Sequence, residues 1–474
     1  MVNDIQKDNN WTSGTLGELV DFKPKRTIKK GVVAPFVAMA DIPENSKQIA
    51  NVATKEYKGG GSRFINGDTV FARITPCLEN GKTAYVKSLP EGEVGHGSTE
   101  FIVFAANYPE YDLDFIYYLA RLPEFRNYAK GKMEGTSGRQ RVSWQSLAGY
   151  PIQYPSKEER KIIGDMLAKF DEKIELNRQV NETLEGMAQA LFKSLFLDFD
   201  PVIDNALKAG NPIPEPLQKR AAQRQALGDA RKPLPEVFQN LFPNDFQHTD
   251  EMGWIPKGWE LSTIGEEISI VGGGTPSTKD ETFWCNGTNA FCTPKDMSSL
   301  ISPILIDTDR KLTEKGAIKV SSGKLPIGTV LLSSRAPIGY LAIADIPVTI
   351  NQGIIAMITN NSYPPMFLYY WIKNNMEEII SRANGSTFLE ISKKNFRPIP
   401  FLKIPSYVVD IFNEHTESIL LRMISSIRNI EYLKNARDTL LPKLLSGEVR
   451  IPEAERIMDD ALRKKNNSLF ATQN

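Results

Sequence analysis

Thr15-Leu16-Gly17-Glu18 is written again as Thr263-Ile264-Gly265-Glu266, and this recurrence decides how the chain is organised. Phe115-Ile116-Tyr117-Tyr118-Leu119 returns as Phe367-Leu368-Tyr369-Tyr370-Trp371, and Gly135-Thr136-Ser137 as Gly385-Ser386-Thr387. Val142-Ser143 is echoed by Ile391-Ser392, and Leu191-Phe192-Lys193 by Leu441-Pro442-Lys443. The offset stays about 250 residues throughout, so the repeat is a domain plus a helix and not a short-period solenoid. Between the landmarks the copies diverge, as two similar modules reading different things would.

Working outward from Thr15, residues 1–155 read as short strands and turns. Thr69-Val70-Phe71-Ala72 follows the turn Asn66-Gly67-Asp68, Glu100 to Ala105 is β-rich, and helices are expected from Leu113 to Leu122 and from Glu124. The pattern changes at Pro155. Ser156-Lys157-Glu158-Glu159 is a capping-box sequence, and it opens a stretch without proline up to Pro201. Ile163, Phe170, Asn177, Leu184 and Leu191 recur every seven residues, with Met166, Leu167, Ile174, Val180, Met187 and Leu195 as the partner stripe. A helix of about 40 residues would be roughly 60 Å long, far more than one small domain covers.

Residues 201–255 are rich in proline, with a basic segment from Lys219 to Arg231, and read as a linker ordered only in short pieces. A second module of the same texture spans 256–405. A second long helix follows over 406–451, its stripe including Ile411, Phe412, Ile419, Leu420, Met423, Ile427, Ile430, Leu433, Leu440, Leu441 and Leu444, and Gly447 ends it. The charged tail, 452–474, reads as frayed. Each long helix needs a partner for its apolar stripe, and the connectivity makes the other one an antiparallel partner. The expected fold is α+β: two globular domains of mixed α/β structure, separated by two long antiparallel helices (156–200 and 406–451) forming a coiled coil, a pseudo-two-fold tandem repeat. Asn177, Asn181 and Lys434 lie in or beside the seam, where they either set register or flank it in solvent.

The composition narrows the function classes. A chain of 474 residues with 41% apolar residues suits two or three soluble domains, and no apolar run approaches a membrane span. Met1 to Lys7 lacks the basic start and apolar stretch of a signal peptide, so a cytoplasmic location is expected. Cys77, Cys285 and Cys292 cannot frame a disulfide network, and His96, His248 and His415 have no ligand spacing, so no metal site is expected. Lys and Arg together balance Asp and Glu at 57 each, so any affinity for nucleic acid must come from local charge. Lys23, Lys25, Arg26, Lys29 and Lys30 form such a run, although a bare charge run is more often a solvated face.

No catalytic motif stands out. Gly272-Gly273-Gly274-Thr275-Pro276-Ser277 lacks the Gly-Lys-Ser/Thr ending of a phosphate loop, and Pro276 removes a backbone donor. A tight turn that exposes backbone is the better reading. Methyltransferase, Rossmann, zinc-protease and serine-hydrolase signatures are all missing. Two loop-rich modules without a catalytic motif favour binding over catalysis. Duplex DNA suits them, because phosphates position a reader while base edges carry the sequence.

On Pro35-Phe36-Val37-Ala38-Met39-Ala40-Asp41-Ile42, Gly95-His96-Gly97-Ser98-Thr99-Glu100-Phe101, Phe199-Asp200-Pro201-Val202, Ile255-Pro256-Lys257-Gly258-Trp259, Gly273-Gly274-Thr275-Pro276-Ser277 and Leu440 to Glu448, the chain resembles the specificity subunits of Type I restriction-modification systems. The resemblance covers essentially the whole chain. It departs in the second module, where Phe283-Trp284 stands for a family Tyr-Trp and Ala290-Phe291-Cys292 for Ile-Pro-Trp. It implies two target-recognition domains that each read half of a bipartite double-stranded DNA site, and a subunit without catalytic activity or cofactor of its own. Two modification (methyltransferase) subunits would bring S-adenosylmethionine and methylate adenine. Two restriction (translocase and nuclease) subunits would bring ATP and Mg. The outer faces of the long helices, with Glu172, Lys173, Arg178 and Glu182, are the expected docking surface, although such charges also suit plain solvent exposure.

Candidate DNA contacts are Lys25, Arg26, Lys29, Lys30, Arg73, Lys82, Arg139 and Arg141 in module one, and Lys279, Lys295, Arg335, Lys393 and Lys394 in module two. Arg73 and Arg335 read as equivalent, each following a β run just before a proline. Two rival classes are a non-specific nucleic-acid-binding scaffold and an enzyme with an unrecognised site.

Overall fold

The structure, a computed structural model, describes residues 11–136, 138–228, 234–359, 362–385 and 389–463. The expectations placed on Met1 to Lys7, on Ser137, Ser386 and Thr387, on the last residues of the basic segment (229–231) and on the tail beyond Arg463 lie outside the described residues. Two compact units form, Met1–Leu176 with Ile430–Asn474, and Asn177–Asn429.

In the first unit, Val20–Asp21, Phe101–Ala106, Thr69–Ala72 and Thr83–Tyr85 make an antiparallel four-stranded sheet in that order. A second sheet runs Ala53–Glu56, Val33–Val37, Gly95–Gly97, Ser62–Phe64, and its Val33–Val37 and Gly95–Gly97 strands are parallel. Val37, Ile42, Phe64, Val70, Val86, Phe101 and Val103 fill the core. The helix Pro109–Arg121 buries Phe115, Ile116 and Leu119, with proline at its first turn where no N–H is needed. Pro123–Gly131 follows it, as the sequence predicts.

The second unit repeats this plan. Ser269–Gly272, Ile354–Ile358, Val330–Ser334 and Ile338–Ala344 are neighbours in the same antiparallel order, with Ile304–Leu305 added at the edge. Arg310–Leu312, Asn289–Cys292 and Val348–Ile350 form the second sheet, again with one parallel pair, Asn289–Cys292 with Val348–Ile350. Even the small closing ladder recurs: Thr15 pairs with Pro151 in one unit and Thr263 with Pro400 in the other. The repeat seen in short sequence echoes is thus a repeat of strand order.

The long helices are Lys157–Phe196 and Ser406–Leu445. The Ser156 hydroxyl accepts from the Glu159 N–H at 3.2 Å, so the predicted cap forms. In the second unit the helices pack antiparallel: the Ser426 hydroxyl donates to the Asn177 carbonyl at 3.2 Å, and Phe192 meets Phe412 with ring centroids 5.8 Å apart. In the first unit Arg437 meets Asp171, both buried, and Asp171 also accepts from the Tyr118 hydroxyl. A second buried pair, Arg160 with Asp112, ties the first turns of the long helix to Pro109–Arg121 through bonds of 2.7 and 3.1 Å.

The predicted stripe holds from Ile163 to Asn177 and then turns. Beyond Asn177 the buried positions are Asn181, Ala188, Phe192, Leu195 and Phe196, whereas Leu184 and Leu191 are half-buried and Met187 is 58% exposed. A helix of 3.6 residues per turn drifts from a strict seven-residue repeat, and this half of the helix also packs against Pro365–Asn374, with Tyr369 and Tyr370 bonding Glu185.

Two segments differ from the sequence reading. The stretch read as a linker carries helices Asp200–Ala209 and Glu215–Ala226, clamped by Arg220 and Arg224 on Asp200 and Asp204, and the hairpin Phe246–Thr249 with Gly253–Pro256. The stretch read as a frayed tail begins with helix Ile451–Arg463, which buries Ala454, Met458 and Ala461. Short amphipathic helices between prolines are the element type that composition hides best. Among the described residues no helix is long and apolar enough to cross a membrane.

Candidate nucleic-acid interface

The two modules present corresponding loop ends, and backbone hydrogen bonds give the correspondence. The Val142 N–H donates to the Arg73 carbonyl and the Ile391 N–H to the Ser334 carbonyl, both at 3.0 Å. Immediately after, Ser143 and Ser392 each cap a short helix, accepting from Ser146 and Asn395. Arg73 therefore corresponds to Ser334, and Arg335 to Ile74. The sequence reading that equated Arg73 with Arg335 is one residue out of step. Side chains alternate faces along a strand, so that single step places the two arginines differently.

In module one the Arg141 guanidinium grips the Glu100 carboxylate, Nε at 3.0 and 2.9 Å from the two oxygens and Nη2 at 2.7 Å from Oε1. Hydrogen bonding from Arg141 holds the Glu100 carboxyl below its ordinary range, and the charges of Arg141 and Arg73 add to this. Arg73 is half-buried, and its Nε is buried without a hydrogen-bond partner among the described residues. Arg139 is exposed, and its carbonyl accepts from Arg141 at 3.2 Å. Lys25, Lys29 and Lys30 are exposed on the loop after Val20–Asp21, where Lys23 lies over the Trp144 ring at 4.5 Å.

Two module-one candidates are drawn inward. Arg26 pairs with buried Asp68 at 3.2 Å, where burial pushes the Asp68 carboxyl up against the pull of the Ile65 N–H and Arg26. Lys82 is half-buried and donates to the Met39 carbonyl at 2.9 Å. Both look structurally engaged, as a charge list alone could not tell.

In module two the Gly272–Ser277 turn packs tightly on the end of Val348–Ile350. A β-carbon on Gly273 would stand 1.9 Å from the Ile350 carbonyl oxygen, so only glycine fits this close approach, and the Gly274 N–H donates to the same oxygen at 3.1 Å. Thr275 donates to Gln352, and the Lys393 side chain lies over Gly272. Arg335 and Pro294 flank Gly353, and Arg335 pairs with Glu390 at 3.4 Å. Arg335, Lys393, Thr275, Gln352 and Glu390 are thus gathered on one loop end. Lys279 is exposed on the loop after Ser269–Gly272, and Lys394 is exposed beside Lys393. Lys295 is exposed and pairs with Asp309 at 3.1 Å.

Sequence reasoning missed Glu100, Glu390, Thr275 and Gln352. The signal for Glu390 was present: aligning Val142 with Ile391 places Arg141 opposite it. No group of three or more His, Cys, Asp or Glu among the described residues could hold a metal.

Comparison with known proteins agrees with this architecture. The Methylase_S family, described as the Type I restriction modification DNA specificity domain, matches residues 8–186 and 256–412. The Type I restriction enzyme HindI specificity subunit of Haemophilus influenzae is 28% identical over 439 residues, covering 87% of this chain and 94% of that protein. The MjaIX specificity subunit of Methanocaldococcus jannaschii is 38% identical over 157 residues, 33% of this chain and 36% of that one. The crystal structure of a Type I restriction-modification S subunit from M. genitalium shares the fold, with a TM-score of 0.50 and 17% identity over 93% of this chain and 98% of that chain. The matched segments take in both modules and most of the first long helix, and the chain belongs to this family, that of the DNA specificity subunits of Type I restriction-modification systems.

Proposed function

We propose that the module over 1–155 and the module over 256–405 are two target-recognition domains, each reading one half of a bipartite double-stranded DNA site. The observation that carries this reading is one hydrogen-bonded framework occurring twice with different side chains on its loop ends. A shared framework fixes where a reader sits, and divergent loops let each copy read its own bases. Lys25, Lys29, Lys30 and Arg139 in one module, and Lys279, Lys393 and Lys394 in the other, are exposed and suit phosphate contacts. The Arg141–Glu100 and Arg335–Glu390 pairs would meet base edges. Arg26, Arg73, Lys82 and Lys295 act at shorter range, by holding the loops.

The long helices, 156–200 and 406–451, serve as the docking surface for two modification subunits, which bring S-adenosylmethionine. Two restriction subunits, using ATP and Mg, complete the assembly. This chain contributes recognition and no bond-making group, and it works on DNA in the cytoplasm.

Selection from randomised duplexes by the full chain assembled with its modification subunits tests the reading, alongside methylome sequencing of cells with and without the chain. Two short words at a fixed spacing are expected. A single uninterrupted word, or recovery indifferent to sequence, would overturn it.

A further inference from the structure

Glu134 and Arg141 are paired partners across a short antiparallel ladder in module one, and Asn384 and Glu390 are paired partners in module two. In each case a glycine with φ of 125°, Gly135 or Gly385, follows the first partner, Glu134 or Asn384, and the second partner is Arg141 or Glu390. The next residue donates its N–H to the end of a central strand, and the one after it caps a helix. Four backbone features therefore put Arg141 and Glu390 at the same place. The side chains there have opposite charge, and each has found an opposite partner from elsewhere in its module: Glu100 for Arg141, Arg335 for Glu390. Both pairs are open to solvent only in part, with side-chain exposures of 42% and 22% in the first and 38% and 46% in the second. An exposed ion pair stabilises a protein little, so exchanging one partner for another ligand costs little.

We propose that Arg141 and Glu390 occupy one and the same base-reading position of the two modules, and that Glu100 and Arg335 hold them ready until DNA replaces one side of each pair. The inference rests on the DNA-reading function above. A guanidinium fork donates two bonds to O6 and N7 of guanine, whereas a carboxylate accepts from N4 of cytosine. Position 141/390 therefore contributes different bases to the two half-sites from one geometry. Each carboxylate also neutralises a cation that would otherwise attract any phosphate, which favours sequence-dependent over indiscriminate binding.

The test uses the full chain with its modification subunits and a duplex library randomised in both half-sites. Arg141→Gln is expected to lose base preference at one column of one half-site, and Glu390→Gln at one column of the other, each by roughly 5- to 150-fold. Glu100→Gln leaves the guanidinium in place and is expected to raise binding to unrelated duplexes. Arg141→Lys keeps the charge without the fork, and decides the matter if Arg141→Gln does not fold. Variants that bind and retain the parental preference at every column would overturn the proposal, as would an even loss across all sequences, the mark of a phosphate contact. If the parent itself selects no sequence, the underlying DNA-reading function fails, a result distinct from either of these.

Discussion

The Trp11 ring lies against Gly447: a β-carbon placed on Gly447, whose φ is 72°, would come within 3.2 Å of the indole. In the other unit Trp259 meets Phe199 at the same point, just past the end of a long helix, with ring centroids 6.0 Å apart and Phe199 at φ 52°. One corner joins Phe199 to Trp259 and the other Gly447 to Trp11, which stand far apart in the sequence. Trp11 and Gly447 are therefore neighbours in space. A circular permutant with 1 and 474 linked and new ends opened between Ala226 and Glu236 is expected to melt cooperatively near the parental temperature and to bind the same DNA. A permutant that fails to fold would show that the two corners are not equivalent. Gly447→Val adds the left-handed strain directly and is expected to cost about 1–3 kcal/mol in chemical denaturation.

Arg437 and Asp171 form the most confined charge pair between the two long helices in the first unit, with side-chain exposures of 9% and 8%. The pair repays desolvation only while both partners and the Tyr118 hydroxyl are present. Arg437→Ala would leave the carboxylate buried and unpaired, and is expected to destabilise the protein by about 3–5 kcal/mol. Arg437→Met with Asp171→Leu should recover most of that loss, because replacing a buried pair by apolar groups is often neutral. A double variant no better than the single one in urea titration would show that the pair does more than satisfy itself.

The clamp between Asp200–Ala209 and Glu215–Ala226 carries a pH dependence. Burial alone would raise the Asp200 carboxyl, but hydrogen bonds from Arg220 and Ser194 and the charge of Arg224 outweigh it and leave the group below its ordinary range. A carboxyl depressed in the folded state contributes stability that is fully present above its unfolded value and is lost as pH falls through the folded one. Protection of the 215–226 amides, taken relative to their intrinsic exchange at each pH, is therefore expected to be high at neutral pH and to fall as pH drops below the ordinary carboxylate range. Asp200→Asn should already show low protection at pH 7. Protection that does not change with pH in the parent would refute the clamp.

The parts of the fold that were readable in the sequence are those set by local chemistry. The turn before Thr69, the Ser156 cap and the apolar stripe up to Asn177 each follow from a few neighbouring residues. The stripe beyond Asn177 was misread because Phe192 packs on Phe367 and Tyr370, which are distant in sequence. The equation of Arg73 with Arg335 failed for a related reason. Arg73 stands three residues before Pro76 and Arg335 two before Pro337, and the hydrogen bonds from Val142 and Ile391 show the same single step. Phosphates demand cations, so a list of charges points to lysine and arginine alone. Glu100 and Glu390 were overlooked because their roles arise from partners 41 and 55 residues away.

That asymmetry separates the expected behaviour of the candidate cations. Lys25, Lys29 and Lys30 are exposed on one loop, so replacing any that neutralises a phosphate should weaken cognate and random duplexes alike and flatten the plot of log affinity against log salt by about 0.9 per contact. Arg335 stands at the loop end beside Gly353, so Arg335→Ala should weaken the cognate site by about 1–3 kcal/mol, with little change for random DNA. Arg73 is half-buried and helps to hold the Glu100 carboxylate charged, so Arg73→Ala should act through the Arg141 pair and disturb one half-site only. Fluorescence anisotropy with cognate and scrambled duplexes across a salt series measures all three. Unchanged cognate affinity for both arginine variants would remove them from the interface, and an equal loss on both duplexes would move them to the phosphate class.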